Sequence, residues 1–206
     1  MLLRRGTPQE AGMIPERIAQ LNKTVKRWVD DGLTPTAMYL LAHKGIIFAH
    51  NAYGSVDSGD THFVAKPDTI IPLSSISKVI TATAAMILAE EGKLTPTKTV
   101  SFYIPEFKGE NKESVCVYHL MTHTSGMSDD VIWEHSEKNR DKIKIPPHEK
   151  TQDPGIHEWL YMGYEAPLWK KPGEEMNYCN YGFELLGEII RRVSGMSLPD
   201  FANERI

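Results

Sequence analysis

Ser75 and Lys78 stand three residues apart where small polar residues open into a long apolar segment, PLSSISKVI at positions 72–80. In the helix that this segment predicts, side chains three apart share a face, so the Lys78 ammonium can approach the Ser75 hydroxyl. A serine hydroxyl becomes a useful nucleophile when a neighbouring group takes its proton, and a desolvated lysine with a lowered pKa can do so. The pair indicates nucleophilic catalysis, although a helix cap beside a surface lysine explains the same two residues equally well.

Two further groups of polar residues raise the question of a metal site. His119 and His123 are four apart, as zinc-binding histidines on a helix are, but no Glu lies beside His119 and no third ligand is evident. The polar segment 54–60 holds two aspartates without the spacing of a calcium-binding loop, and it predicts a solvated turn. A structural histidine pair is favoured, Ser125 is interpreted as a turn residue, and no metal or cofactor is predicted.

The composition is that of an ordinary globular protein. The 206 residues are 41% hydrophobic and 24% charged, which indicates one domain, or one domain with an inserted subdomain. A net charge of -4 without runs of like charge gives no support to a nucleic-acid or membrane partner. No apolar leader follows the basic N-terminus, and Cys116 and Cys179 are too few for a disulfide framework, so a cytoplasmic protein with free thiols is predicted.

Apolar periodicity predicts the elements that position these residues. Apolar side chains recur every three or four positions between residue 15 and about residue 31, which predicts an amphipathic helix. Two β-forming runs, 36–43 and 46–53, are separated by Lys44-Gly45 and predict a hairpin. Residues 75–91 predict a second helix that is apolar around most of its circumference and therefore buried.

The second half of the chain is predicted to be mostly helical. Short helices are expected at about 115–122 and 156–162, and a strongly amphipathic helix at 180–193 that Gly195 ends. Residues 129–154 are polar and broken by two prolines, which predicts a long surface loop of the kind that forms the wall of a substrate cleft. The remaining aromatic residues are interpreted as core.

Residues 75–78 (SISK), followed about a hundred residues later by 178–180 (YCN), resemble the first two motifs of the serine β-lactamase and penicillin-binding-protein family. The resemblance is to its class C and family VIII esterase-like branch. Segment 119–127 (HLMTHTSGM) resembles the linker of that branch, and 171–173 (KPG) and 186–188 (LGE) resemble the approach to its tyrosine motif and the exit from it. The likeness covers nearly the whole chain, with the motifs in the family's order.

The resemblance implies catalysis through an acyl-enzyme, in which Ser75 attacks a carbonyl group and water then releases the acyl group. Tyr178, if cationic or donor groups hold its pKa below about ten, would accept the Ser75 proton and return it to the leaving group. Lys78 would be its electrostatic partner, although the two form a coupled pair and either could be the base. Asn180 would bind substrate and orient Lys78. From the residues alone, Tyr178 could be a core aromatic and Asn180 a helix cap.

Two features depart from the family's pattern. Its third motif, Lys- or His-x-Gly on a strand after the tyrosine, does not follow residue 180, and the similar triplets at 43–45 and 171–173 precede the tyrosine. Secreted relatives have a signal peptide that this sequence lacks, which favours a cytoplasmic esterase over cell-wall or antibiotic chemistry. Cys179 is expected to point away from the site by alternation and is given no chemical role.

The resemblance implies an α+β fold of the β-lactamase/transpeptidase type. An N-terminal helix and an antiparallel hairpin (1–74) are expected beside a mostly helical subdomain (75–206). The implied function is that of a serine hydrolase acting on a small-molecule ester or amide, with a cytoplasmic esterase as the first expectation. A β-lactamase or D-amino-acid peptidase, and a non-catalytic sensor or scaffold of the same fold, are the alternatives.

The strands that the family places after the tyrosine motif are expected to be missing from these residues. Only two strands are predicted, an isolated hairpin is marginally stable, and the helix that starts near residue 197 meets no stop signal. We therefore expect residues 1–206 to be inactive alone, without the strand that carries the third motif and one oxyanion-hole N–H. The unpaired sheet edge predicts a homo-oligomer, or association with a missing C-terminal segment.

Overall fold

The computed structural model describes residues 3–59 and 61–206, which form two compact units. The first unit ends at Pro72, and the second runs from Leu73 to Ile206. Within the described residues, every helix is too short or too polar to pass through a lipid bilayer.

The first unit consists of a helix and a four-stranded mixed sheet. Its elements are β1 (Arg4–Arg5), α1 (Pro15–Asp30), β2 (Thr36–His43), β3 (Ile46–Ser58) and β4 (Thr61–Val64). β1 pairs with β3 in parallel, whereas β2 and β4 pair with β3 in the antiparallel direction. The predicted helix and hairpin are confirmed, and Lys44 and Gly45 form the turn with φ values of 50° and 78°.

The polar segment 54–60 does not form the predicted turn. Its first five residues continue β3 and pair with β4, whereas Asp60 lies outside the described residues. Gly54 permits this path because its φ is +83° and a Cβ there would lie 2.1 Å from the carbonyl oxygen of Pro35. β1 consists of two arginines, and β4 is a four-residue exposed strand, so apolar alternation does not predict them.

The second unit is helical. It begins with a 3₁₀ turn (Ser74–Ile76) and α2 (Ser77–Glu90), and continues with α3 (Val100–Tyr103), a 3₁₀ turn (Lys112–Ser114), α4 (Val117–Met121), α5 (Asp129–Asn139), α6 (Pro154–Gly163), α7 (Asn180–Ser194) and α8 (Leu198–Arg205). The predicted helices α2, α4, α6 and α7 are confirmed. Ser75, however, lies in the 3₁₀ turn before α2 and not in the α-helix itself.

Residues 129–139 form α5 in place of the predicted loop. Asp129 and Asp130 lie in its first turn, where carboxylates stabilise the positive end of the helix dipole. The buried residues of the helix are Ile132 and Ser136, so its apolar periodicity is too weak to identify it from the sequence.

α7 lies at the centre of the hydrophobic core of the second unit. It packs against α2, α4 and α6, and its side chains at Tyr181, Leu185, Leu186, Ile189 and Ile190 are fully buried. Burial of each aliphatic side chain contributes about 1.5–3 kcal/mol relative to exposure. The core therefore fixes α7, with Asn180 as its first residue, against α2.

α2 is buried on one face, and the prediction that it is buried around its circumference is wrong for the described residues. Ala84, Ala85 and Leu88 lie in the core. On the opposite face, Val79 and Met86 are 65% and 50% exposed. The apolar sequence of α2 therefore predicts more burial than this structure provides.

An ion-pair network around Glu188 joins α7 to Glu106, which lies outside the helix. Glu188 accepts hydrogen bonds from Arg191 Nε at 2.8 Å and Arg192 Nε at 2.7 Å, and Arg192 Nη1 also donates to Glu106 at 2.9 Å. Burial acts to raise the pKa of Glu188, but the hydrogen bonds from the two guanidinium groups outweigh it and lower the pKa. The network is thus built around an ionised carboxylate.

Replacing Glu188 by glutamine is expected to lower the free energy of unfolding by about 3–5 kcal/mol, because Arg191 then stays buried with the exposed Glu149 as its carboxylate partner. Urea unfolding measures this change. Glu134→Gln is the matched control, since Glu134 and Lys138 form an exposed pair that contributes little. Equal effects of the two substitutions would contradict the predicted role of Glu188.

Candidate active site

Ser75 lies at the surface of the second unit, in the 3₁₀ turn that precedes α2. Ser74 before it has a φ of +47°, an uncommon conformation for a residue other than glycine, and it directs the chain into this turn. Lys78 Nζ lies 3.3 Å from Ser75 Oγ, and the Tyr178 hydroxyl donates to the same oxygen at 2.7 Å. Two groups that could take its proton therefore contact the Ser75 hydroxyl.

Asn180 completes the group of polar side chains. Its Oδ1 accepts a hydrogen bond from Lys78 Nζ at 2.7 Å, and its Nδ2 donates to Asp129 Oδ2 at 2.8 Å. Lys78 Nζ also lies 4.8 Å from the centre of the Tyr178 ring, a cation–π distance. The structure thus brings together the four side chains that the sequence predicts. They come from the start of α2 and the turn before it, and from the start of α7 and the segment before it.

The electrostatics of the site make the Tyr178 hydroxyl easier to ionise. The Lys78 ammonium beside it, together with the hydrogen bond to Ser75, lowers the pKa of Tyr178 below its ordinary value. The Tyr178 side chain is also 46% exposed, so water can reach its oxygen. When the phenol is ionised, the hydrogen bond reverses and the Ser75 hydroxyl donates to the phenolate. This is the state in which Tyr178 can accept the proton of the nucleophile.

Replacing Lys78 by methionine is expected to raise the pKa of Tyr178 toward the ordinary tyrosine value of about 10, because the neighbouring cation is removed. The ultraviolet absorbance of the phenolate measures the pKa, with Tyr178→Phe subtracted to isolate this residue. If the phenolate is the base, the rate of Ser75 acylation rises as pH passes through this pKa, so the substitution moves that rise to higher pH. Lys98→Met is the control, and an unchanged Tyr178 pKa in Lys78→Met would contradict the prediction.

Asp129 holds the start of α7 in position, and no pattern in the sequence predicts this role. Its Oδ2 accepts from the Asn180 backbone N–H at 2.9 Å, and its Oδ1 accepts from the Tyr181 N–H at 3.0 Å. The carboxylate thereby satisfies unpaired N–H groups at the start of α7 and stabilises the positive end of its dipole. Burial acts to raise the pKa of Asp129, but these backbone hydrogen bonds outweigh it and lower the pKa.

His123 supports the segment that carries Tyr178. Its Nδ1 accepts a hydrogen bond from the Cys179 N–H at 3.2 Å, and its ring lies 4.3 Å from the Tyr178 ring. Burial and the Lys78 charge lower the pKa of His123, so the ring is neutral and Nδ1 can accept. His119 makes a separate contact, accepting from the Cys116 N–H at 3.0 Å.

The two histidines therefore accept hydrogen bonds from different backbone N–H groups. Among residues 3–59 and 61–206, no three His, Cys, Asp or Glu side chains are arranged to hold a metal ion. The two cysteine thiols in the described chain are free.

Cys179 is buried and lies outside the reactive group. Its Sγ donates to Asp129 Oδ1 at 3.1 Å, and its side chain is part of the hydrophobic core. Burial, together with the Asp129 carboxylate, raises the pKa of Cys179 to about 12. A thiol with this pKa is protonated at neutral pH and is a poor nucleophile.

Comparison with known proteins places this geometry in context. A protein-family model described as Beta-lactamase matches residues 21–206. The chain is 32% identical over 186 residues to Protein flp of Staphylococcus aureus (strain N315), covering 88% of this chain and 34% of that protein. It therefore spans about a third of the length of this curated relative.

Solved structures show the same fold. EstCE1, described as a hydrolase with promiscuous acyltransferase activity, has a TM-score of 0.73 at 26% identity, with 93% of this chain and 51% of that chain covered. The octameric penicillin-binding protein homologue from Pyrococcus abyssi has a TM-score of 0.73 at 25% identity, with 92% and 42% covered. The α+β fold of the β-lactamase/transpeptidase type that the sequence predicts is confirmed.

Proposed function

The chain belongs to the beta-lactamase family, and on that premise we propose that it is a serine hydrolase that forms an acyl-enzyme on Ser75, with esters as its preferred substrates. The proposal rests on the convergence of Lys78 and Tyr178 on Ser75 Oγ, at 3.3 and 2.7 Å. A helix-capping serine and a core tyrosine would have no reason to meet in this way. Ser75 and Tyr178 are also exposed, so a substrate carbonyl can reach Oγ.

The reaction would proceed in two steps. Ser75 Oγ bonds to the ester carbonyl carbon while the Tyr178 phenolate takes the Ser75 proton, and Tyr178 returns this proton to the alkoxide as the carbon–oxygen bond to the alcohol breaks. Water then attacks the acyl-Ser75 ester, loses a proton to the same base, and releases the carboxylic acid and free Ser75. Lys78 keeps its charge and stabilises the phenolate. Lys78 as the base is the alternative that its contact with Ser75 keeps open.

Esters are proposed ahead of amides because an alkoxide leaves a tetrahedral intermediate more readily than an amine. The similarity to EstCE1, which is described as a hydrolase with acyltransferase activity, supports an acyl-enzyme. A β-lactam or D-amino-acid peptide is the second candidate substrate, favoured by the similarity to the penicillin-binding protein homologue. The cytoplasmic location stays a prediction.

Covalent labelling tests the proposal. The complete protein is incubated with a fluorophosphonate and, separately, with benzylpenicillin, and the adduct is located by intact mass and peptide mapping. We expect one fluorophosphonate adduct, on Ser75, that Ser75→Ala abolishes. Ser77→Ala is the matched control, because the Ser77 hydroxyl makes no hydrogen bond within the described residues and should leave labelling intact. A Ser75 that neither reagent modifies would overturn the proposal.

The rate of p-nitrophenyl ester hydrolysis is then compared with the rate of nitrocefin hydrolysis, which ranks the two substrate classes. Faster ester hydrolysis supports the esterase assignment, whereas faster nitrocefin hydrolysis favours the β-lactamase candidate. A Ser75→Ala protein that retains full biological activity would instead favour a non-catalytic sensor or scaffold.

The oxyanion hole bears on the rate that these residues can reach. No Lys- or His-x-Gly follows Tyr178 in the sequence, and the chain spans 34% of Protein flp. Loss of one oxyanion-hole donor typically costs about two to three orders of magnitude in rate. We therefore expect the 206-residue chain to turn over esters at least that much more slowly than a site with both donors would.

Sedimentation accompanies the rate measurement. The exposed apolar face of α2 and the sheet edge predict association of the chain with further copies, and the octameric homologue supports this proposal. A monodisperse monomer of the 206-residue chain that turns over esters as fast as the complete protein would contradict both expectations.

A further inference from the structure

A pocket of about 360 Å³ lies beside Asn180 in the second unit. Its lining comes from α5, α6 and the start of α7, and includes Asp129, Asp130, Trp133, Trp159, Asn180 and Glu184. Asn180 links the pocket to the reactive side chains, because its Oδ1 binds Lys78 Nζ at 2.7 Å and Lys78 Nζ lies 3.3 Å from Ser75 Oγ. The pocket therefore lies next to the side chains that contact Ser75, with Lys78 and Asn180 between it and the nucleophile.

Two indole rings form the apolar part of this pocket. The ring centroids of Trp133 and Trp159 are 5.9 Å apart, with an angle of 46° between the ring planes. Trp159 is held in place by an edge-on contact with the buried Tyr181, at 5.9 Å and 82°. Trp133 is 58% exposed, so the interpretation of the aromatic residues as core is wrong for it. Its free indole face is available to a ligand.

The polar part of the pocket is acidic. Asp130 is exposed and has neither an ion pair nor a hydrogen bond within the described residues. Glu184 has a buried oxygen, Oε2, that finds no hydrogen-bond partner in the same part of the chain. Asp129, by contrast, is occupied by the N–H groups of α7. None of the described lining residues is a lysine or arginine, so the negative charge of Asp130 is not neutralised within the pocket.

We propose that this pocket binds an ammonium group carried by the substrate, so that esters with a cationic acyl chain acylate Ser75 preferentially. Indole faces attract a cation through their ring quadrupole, and Asp130 attracts it through its charge. A neutral group of the same shape gains the contacts with the indoles alone, and an anion is repelled. The inference rests on the proposed hydrolase activity of Ser75 and specifies its substrate.

Binding of two probes of equal shape tests the pocket without requiring turnover. Choline and 3,3-dimethylbutan-1-ol differ in one atom, since carbon replaces the quaternary nitrogen. Each is titrated into the 206-residue chain at constant ionic strength, while the indole N–H resonances are followed by NMR. We expect choline to shift the resonances of Trp133 and Trp159 and to bind about tenfold more tightly than the alcohol. Equal affinities, or shifts confined to other tryptophans, would overturn the proposal.

Substitutions then locate the binding site. Trp133→Ala and Asp130→Asn are each expected to weaken choline binding about three- to tenfold, and Asp130→Asn should leave binding of the alcohol unchanged. Trp28→Ala and Asp31→Asn are the matched controls, because both side chains are exposed in the first unit. Choline binding that neither pocket substitution weakens would place the cation elsewhere and overturn the proposal.

A matched pair of esters separates this inference from the proposed function. The p-nitrophenyl esters of 4-(trimethylammonio)butanoate and 5,5-dimethylhexanoate have the same shape and differ in charge. We expect acyl-Ser75 to form about tenfold faster from the cationic ester. Equal rates would leave the hydrolase assignment intact and overturn the ammonium preference. If neither ester acylates Ser75 in the complete protein although choline binds, the hydrolase assignment fails and the pocket stands as an ammonium site.

Discussion

Tyr178→Phe is expected to slow the formation of acyl-Ser75 by about two to four orders of magnitude while leaving the fold intact. The substitution removes one hydroxyl, whose hydrogen bond to Ser75 Oγ is 2.7 Å long, and little volume. Single-turnover acylation by an activated ester, followed by mass spectrometry, measures the rate at several pH values. The rise of the rate with pH that the Tyr178 phenolate produces should disappear in the variant.

The control for this substitution is Tyr118→Phe. Tyr118 is 39% exposed on α4, and its hydroxyl has no hydrogen bond within the described chain. In the Tyr118→Phe variant, Ser75 should therefore be acylated at the rate of the unmodified protein. If Ser75 is acylated at a near-normal rate in the Tyr178→Phe variant, the role of base passes to Lys78, whose Nζ is the other group in contact with Ser75.

Asp129→Asn is expected to lower the free energy of unfolding by about 2–4 kcal/mol and to slow Ser75 acylation by up to about a hundredfold. The carboxylate accepts from two backbone N–H groups, the Asn180 amide and the Cys179 thiol. An asparagine amide would direct its own N–H groups at some of these donors. Asn180 would then lose its position, and with it the hydrogen bond that holds Lys78 beside Ser75.

The pH dependence of stability tests whether the charge of Asp129 causes the stability difference between the unmodified chain and Asp129→Asn. Its pKa is lower in the folded chain than in the unfolded one, where it is about 4. The carboxylate therefore contributes its full stabilisation above that value and loses it as pH falls through the folded-state pKa. The stability difference between the unmodified chain and Asp129→Asn should be constant near neutral pH and shrink in acid.

Asp141→Asn, at an exposed position after α5, is the control for both measurements. It should change neither unfolding nor acylation. A stability difference for Asp129→Asn that is the same at acid and neutral pH would contradict the role of the ionised carboxylate.

The sequence predicts best the contacts that are local. Ser75 and Lys78 meet because three residues of helical turn separate them, a spacing that the sequence displays directly. Tyr178 and Asn180 join them from more than a hundred residues away, and the resemblance to a known family is what indicated that they belong together. Elements with strong apolar periodicity, such as α1 and α7, were predicted nearly to the residue.

The parts that escaped prediction depend on long-range contacts or on polar residues. Asp129 lies 51 residues before Asn180, and nothing in the local sequence indicates that its carboxylate caps α7. α5 buries too few apolar side chains to show a helical period, and β4 is a short strand whose side chains are all exposed. Trp133 has the residue type of a core position, and its exposure follows from the tertiary placement of α5.

The reactive side chains and the indole wall of the pocket lie on different elements of the fold, which matters for engineering. The groups that break and form bonds lie at the starts of α2 and α7 or in the residues just before them, and these two helices are fixed by the core and, for α7, by the Glu188 network. The pocket wall is formed by Trp133 and Trp159 on α5 and α6, which belong to neither reactive helix. Libraries that keep Asp129 and vary the exposed positions of α5 and α6 can therefore redirect substrate selectivity at little risk to the catalytic groups, whereas α7 offers few positions that tolerate change.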